Sequence, residues 1–491
     1  MPNSVDFNGK PFHFIGIGGI GMSALAYVLA KRQLPVSGSD TRSSNITQKL
    51  QALGAQIFDR QEGSNLEFFS SKNSRPQAAL ATGVSKKATS QTLNKSAITS
   101  SNLPQVIYST AINTANLEYK AALEKGCPIF HRSDLLAALM MEYSSIAVAG
   151  THGKTTTSSA IGYMLMQAGL DPTIIVGGEV AAWDGNARNG QSKYLVAEAD
   201  ESDGSLVKLA AAIGVVTNVE LDHPDHYTDL EQVINTFLTF ATRCDTLIGC
   251  IDCETVKNHL KPQISYSLQQ ADADYTVSDI EYRADGTTAT VWERQEVLGV
   301  LNLRLLGKHN LSNAIASVAV GRLLKLDFAT IAQSLATFIG ASRRFEVRGV
   351  ANGITFIDDY AHHPSEIKAT LESARLQAPK TRVVAIFQPH RYSRTHTFLT
   401  EFAESFKNAD VVVITDIYSA GEQDLGLVSS QKLVELIAQQ QGEVIYQPSL
   451  KEVSSFLLEN LRPGDMALFL GAGNLNQIIP SAIASINQIS A

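Results

Sequence analysis

The chain has 491 residues, 44% hydrophobic and 18% charged, enough apolar material for about three globular domains. Its net charge is −8 and no stretch is dense in Lys and Arg, which excludes a nucleic-acid partner gripped through a basic face. No apolar run approaches the ~18 residues that cross a bilayer, and MPNSVDFNGKPFHFIG lacks the basic and long apolar segments of a signal peptide. A cytoplasmic location with no membrane partner is therefore expected. The four cysteines are too few for a disulfide framework in so long a chain, and the CxxC at Cys250 and Cys253 reads as a reduced structural pair.

In chain order, strand, glycine turn and helix alternate, as in doubly wound α/β domains. PFHFIGIGG predicts a strand, followed by a helix from about Ile20 to Arg32, and LPVSGSD a second strand ending at Asp40. Residues 61–104 break the rhythm with Ser, Thr, Asn, Lys and two prolines, and read as a polar surface insertion without fixed structure. QVIYSTAI restores it. A second α/β region is expected from Arg132, with strands in SSIAVAG, YLVAEADESD and AAIGVVTNVELDH. Residues 273–306 alternate apolar and polar, the mark of an antiparallel meander, and a long helix follows over 307–324. From Phe338 a third region carries strands in GITFIDDY, RVVAIFQPH, DVVVITDIY and DMALFLGAGN. The expected domains are 1–131, 132–337 and 338–491.

GTHGKTTT, Gly150–Thr157, stands between an apolar strand and a helix. Gly150 and Gly153 let the backbone amides of Thr151, His152 and their neighbours wrap around phosphate oxygens, and the helix start adds partial positive charge. Lys154 places a full charge beside the outer phosphates of a nucleotide, and Thr155 can offer a hydroxyl to Mg²⁺, with Thr156 next in the turn. Val148 stands where the strict pattern has glycine, so the loop is a shortened variant. Acids should lie near it, because ligands in open α/β sheets sit beyond the carboxyl ends of strands. Glu198 ends one strand and is the first choice of metal ligand; Asp222 and His223 end another, and His223 can hold a second ion.

Gly16, Gly18 and Gly21 form G-x-G-x-x-G, with Gly19 inside it and Asp40 22 residues beyond Gly18. This geometry binds the diphosphate of any nucleotide, with the acid on a ribose hydroxyl. The last third clusters Ser342-Arg343-Arg344-Phe345, Asp358 to Pro364 and Gln388 to Arg394 in loops after strands, which suits an anion site built from His and Arg. A nicotinamide-dependent dehydrogenase would use GIGGIG and Asp40 but leave GTHGKTT without a task. A non-catalytic nucleotide switch would leave the His/Arg loops without one.

Together HFIGIGGIGMSALA, GTHGKTT, EADESD, TNVELDH, GKHNLSNA, SRRFE, DDYAHHP, QPHRYSR and FLGAGN resemble, in order and spacing, the Mur ligase family of bacterial cell-wall synthesis. The resemblance spans nearly the whole chain. It departs at Ala361, where the family motif often has glycine, and in the length of the 61–104 insertion. It implies a Rossmann-like N-terminal domain for a UDP-sugar, a P-loop-type central ATPase domain with a mixed sheet, and a Rossmann-like C-terminal domain. The implied reaction joins L-alanine to the lactyl carboxylate of UDP-N-acetylmuramate, using ATP and Mg²⁺ or Mn²⁺; a recycling ligase that adds a preformed peptide is the alternative. The resemblance also assigns residues. Lys154, Thr155, Glu198 and His223 handle phosphate and metal, Asn310 and Asn313 contact adenine, and Asp359 the ATP ribose. Arg344 reaches the transferring phosphate. Tyr360, His362, Arg391 and Arg394 position the alanine, and Ser109 and Thr110 join the Gly16–Gly21 loop on the UDP-sugar. No carbamylated lysine is implied, and a monomer or weak homodimer is the expected assembly.

Overall fold

Apolar runs rich in Val, Ile and Phe seed three β-sheets in the computed structural model, which describes residues 4–70 and 103–489. Of the expected insertion only 61–70 and 103–104 fall within the described residues. There the reading needs correction: Gly63–Ser70 is a 3-10 turn, and its Leu66 is 1% exposed against Ile15, Val106 and Ala122. Buried Leu66, together with Asn65 donating to Glu118, anchors the start of this polar stretch.

Residues 4–70, 103–144, 172–177 and 185–195 form one compact unit. Its sheet runs 56–58, 36–39, 12–15, 105–108, 129–131, with every pair parallel. The strand Phe12–Ile15 is hydrogen-bonded on both sides, and the connections reverse direction beside it. A parallel sheet opens its ligand crevice at that point, beyond the carboxyl ends of the strands. Gly16 and Ser109 both leave strands there. A buried polar network braces the same sheet. His13 bonds Ser37 and Glu118 at 2.8 Å through its two ring nitrogens, and Asn65 donates to Glu118 at 2.7 Å.

The second unit comprises 145–171, 178–184 and the chain from 196 onward. The part of its first sheet that lies within this unit includes the antiparallel meander 296–303, 286–293, 275–283, followed in order by 264–266, 244–250, 211–216, 145–149 and 196–198. The meander and the helix Lys308–Leu323 lie where the alternation placed them. Its second sheet runs 346–351, 354–359, 466–470, 383–387, 411–414, 443–446, parallel except for the first pair. Alternate residues of its strands feed two cores. Ile357, Phe387, Ile414 and Leu468 face one layer of helices, while Phe356, Ile386, Val413 and Phe469 face the other. Burial on both faces is why these strands read as unbroken apolar runs. Among the described residues, no helix is long and apolar enough to cross a membrane.

Candidate active site

The strand Ser144–Ala149 delivers the chain into a turn that only glycine can make. Gly150 has φ 139° and Gly153 φ 81°, and a Cβ on them would lie 2.0 Å from Thr217 Oγ1 and 2.7 Å from Asn313 Oδ1. The helix Lys154–Gln167 then starts without a side-chain cap, so the amides of its first turn remain available to an anion. Lys154 Nζ donates to Gly150 O at 2.6 Å and Thr151 O at 3.1 Å, and pairs with Glu201 Oε1 at 2.9 Å. Burial pulls this ammonium down, but Glu201, Asp200 and Glu198 outweigh it and hold its pKa above the usual lysine range. Burial pushes Glu201 up to about 7 against the pull of Lys154, and Glu201 Oε2 has no hydrogen-bond partner.

Thr155 Oγ1 donates to Glu198 Oε1 at 3.1 Å, so the two proposed Mg²⁺ donors meet. A hydroxyl beside a carboxylate is a hard oxygen pair that suits this ion. His223 sits apart from them, with Nε2 3.6 Å from Asp222 Oδ2 and 3.9 Å from Glu201 Oε1. Its backbone is left-handed, φ 54°, a strained setting for histidine.

Beside the loop lies a cavity of about 230 Å³. His152, Gly153 and Thr156 line it together with Asn310, Asn313, Arg344 and Asp359, so it joins residues from four separate motifs. Asn310 Nδ2 is bound to Leu306 O at 2.8 Å, and Asn313 packs on Gly153. Both carboxylate oxygens of Asp359 accept backbone amides, from Phe345 at 2.7 Å and Ala361 at 2.8 Å, while burial lifts this acid to about 6. Ala361 is buried and keeps a negative φ, so the missing glycine costs no strain.

The loops after 354–359 and 383–387 converge. The Arg343 and Arg344 guanidinium carbons lie 4.9 and 5.2 Å from the Tyr360 ring centre. The His362 and His390 rings are 5.9 Å apart, and Tyr418 stacks on His390 at 5.7 Å. Arg394, 2% exposed, donates Nε to Asp222 Oδ1 at 2.8 Å and Nη1 to His390 Nδ1 at 3.3 Å, with Nη2 3.5 Å from His223 Nδ1. Arg391, at φ 72°, pairs with Asp225 at 3.1 Å and Glu422 at 3.2 Å. Burial, reinforced by neighbouring cations, drives His362 and His363 to about 4 and His390 to about 3, so all three are neutral at pH 7. His362 Nδ1 lies 2.9 Å from the Tyr360 carbonyl, which can only accept, so the proton sits on Nδ1 and Nε2 keeps its lone pair. Neutral imidazoles among arginines suit a ligand with both a carboxylate and an amine.

His152 is the exception among the histidines. Nδ1 lies 3.2 Å from Glu366 Oε1, and Nε2 is 3.4 Å from Glu220 Oε2, close enough for an ion pair but without hydrogen-bond alignment. Burial would lower this ring, yet the two carboxylates lift it to about 10. A folded pKa above the unfolded 6.5 gives stability that is complete below pH 6.5 and disappears as pH rises through about 10. His152→Gln should therefore lower the melting temperature at pH 6, with a gap to wild type that closes by pH 10. A gap independent of pH would contradict this, and calorimetry across that range decides.

In the first unit, Gly16 has φ 80° and donates its amide to Ser39 O at 2.8 Å; Gly18 donates to Asp40 Oδ2 at 2.8 Å. A Cβ on Gly18 would lie 2.7 Å from that oxygen. Gly19 ends the loop at the uncapped start of Ile20–Lys31, with Gly21 in its first turn. Ser109 and exposed Thr110 follow the neighbouring strand. Arg132, read from the sequence only as the start of the second region, reaches the same loop, 3.5 Å from a Cβ built on Gly21. Also missed were Glu201, Glu220 and Glu366. A signal existed for the last, since an acid three residues after a helix cap completes a capping box, and His363 with Glu366 does so.

The chain matches three family descriptions: "Mur ligase family, catalytic domain" over 11–144, "Mur ligase middle domain" over 148–321 and "Mur ligase, glutamate ligase domain" over 343–473. It is 68% identical over 487 residues to the UDP-N-acetylmuramate–L-alanine ligase of Nostoc punctiforme, covering 99% of this chain and 98% of that one. To the enzyme of the same name from Synechocystis it is 58% identical, covering 98% of each. It is also similar to the crystal structure of a UDP-N-acetylmuramate–alanine ligase from Thermotoga maritima, with TM-score 0.78, 26% identity, and 98% and 100% of the chains covered.

Proposed function

Because this chain belongs to the Mur ligase family, we propose that it is an ATP-dependent amide ligase joining L-alanine to the lactyl carboxylate of UDP-N-acetylmuramate in peptidoglycan precursor synthesis. The observation that supports this most is the meeting, inside one unit, of the phosphate loop with the loops of neutral histidines and arginines, through the His152–His363 ring contact and the His152–Glu366 pair. In this reading 1–131 binds the UDP-sugar through Gly16, Gly18, Gly19, Gly21, Asp40, Ser109 and Thr110. Residues 132–337 bind ATP, and 338–491 bind the amino acid. The enzyme works in the cytoplasm as a monomer or weak homodimer.

Amide formation from a free carboxylate fails because oxide is a poor leaving group. Attack of the carboxylate oxygen on the γ-phosphorus of ATP breaks its bond to ADP, which leaves, and gives an acyl phosphate; attack of the amine on the acyl carbon then expels phosphate, and the nitrogen gives up a proton. The transfer depends on positioning and charge neutralisation. Lys154 and Arg344 supply the cations, and the loop amides cradle the phosphates. Thr155 and Glu198 would hold Mg²⁺, with His223 holding a second ion. Bound metal would neutralise charge that builds on the transferring group. Arg391 and Arg394 take the amino-acid carboxylate. His362 Nε2, with its lone pair free, receives a hydrogen bond from the amine that attacks the acyl phosphate. Asn310 and Asn313 flank adenine, Asp359 the ribose, and Tyr360, braced by two arginines, closes the amino-acid pocket.

Phosphate release with ATP, UDP-N-acetylmuramate and L-alanine together, and little without either acceptor, is the expected result. Release indifferent to both would refute the assignment, and release with a tripeptide but not L-alanine would assign a recycling ligase.

A further inference from the structure

His152, Glu220 and His363 bring one donor atom each within 4.8 Å of one another, the composition of a metal site. Their protons argue against one. His363 Nδ1 accepts the Ser365 amide at 3.3 Å, which leaves the proton on Nε2, and His152 faces carboxylates from both ring nitrogens. The cluster is an ionic junction whose centre is Glu366. Glu366 Oε1 lies 3.2 Å from His152 Nδ1 in the phosphate loop. Oε2 accepts the His362 amide at 3.0 Å and the His363 amide at 3.3 Å, and lies 3.2 Å from His362 Nδ1. Ser365 Oγ donates to Glu220 Oε2 at 2.8 Å beside it, and the His152 and His363 rings are 4.7 Å apart. On its other side the phosphate loop is fixed: Asn218 Oδ1 accepts the His152 amide at 2.8 Å, and Thr217 Oγ1 donates to His152 O at 2.6 Å. The His152 backbone is thus held from that side while its ring reaches Glu366.

We propose that Glu366 is a positioning residue that couples the two halves of the site, tying the phosphate loop through His152 to the loop that presents His362, so that nucleotide and amino acid each tighten the other's binding. This rests on the ligase reading of the two subsites. His152 touches none of the groups assigned to the amino acid, so its effect on that substrate must pass through the carboxylate.

The test measures KM for ATP and for L-alanine, with melting temperatures, on the full chain as wild type, Glu366→Gln, His152→Gln and the double variant. Each single change should raise both KM values by about ten-fold, and the double variant should be no worse than the larger single, because both cut one link. Effects that multiply, or a rise confined to one substrate, overturn the proposal. So does a lowered melting temperature with both KM values unchanged, which is what a purely structural pair would give. Should Glu366→Gln fail to fold, His152→Gln decides alone: an unchanged KM for L-alanine refutes the coupling. Wild-type protein with no acceptor-dependent phosphate release would refute the ligase reading instead.

Discussion

Lys154→Ala should lower turnover by about 10³-fold or more while leaving binding of the UDP-sugar unchanged. The first effect follows from losing the cation that faces the transferring phosphate. The second follows because Gly16–Gly21 and Asp40 lie in a different compact unit from Lys154. The structure adds a further consequence. Lys154 also ties together Gly150 O, Thr151 O and the buried Glu201. Removing it leaves a carboxylate with 2% side-chain exposure and no cation, a loss worth about 3–5 kcal/mol unless the acid takes up a proton. Burial has already lifted Glu201 toward neutrality, so protonation recovers part of the loss. Lys154→Ala with Glu201→Gln should accordingly melt higher than Lys154→Ala alone and remain inactive. Turnover in either variant near the wild-type rate, measured as phosphate release, would remove Lys154 from the mechanism.

The two glycine loops were legible because their demands are local. Gly16, Gly150 and Gly153 occupy left-handed backbone, and spacing alone marks such turns. The central strands were legible because burial on both faces leaves unbroken apolar runs such as VVAIF. One edge strand of the last sheet was not. Glu346–Ala351 leaves Val347 and Val350 exposed and breaks its run with charge, so nothing in its pattern announces a strand. The junctions of the site were hidden for another reason. Asp222 and Arg394 meet across 172 positions, and His152 and Glu366 across 214, and no single sequence shows which acid a fold brings to which base. Glu198 was chosen from its motif while Glu201, three residues on, was passed over. Only the turn after the strand decides that Glu201 faces Lys154.

Arg394 should be the least replaceable residue of the amino-acid pocket, by lysine as well as by alanine. Its guanidinium is used in three directions at once: Nε on Asp222, Nη1 on His390 and Nη2 toward His223. A planar fork holds that arrangement with little loss of freedom, whereas an ammonium on a flexible stem is a single point of charge that does not reproduce the spread of the fork. Arg394→Ala strands Asp222, a carboxylate 5% exposed on its side chain, and should cost about 3–5 kcal/mol in urea unfolding with no change in the slope. Arg394→Lys should recover much of that stability through the ion pair while KM for L-alanine stays raised at least about ten-fold, because His390 and the amino-acid carboxylate lose their fixed partner. Asp222→Asn with Arg394→Met removes both charges, so it should approach wild-type stability and still release no phosphate on adding L-alanine. If Arg394→Lys kept the wild-type KM, a point charge would suffice at this position, and the carboxylate of the amino acid would have to be held by Arg391, whose side chain is 30% exposed and already shared between Asp225 and Glu422.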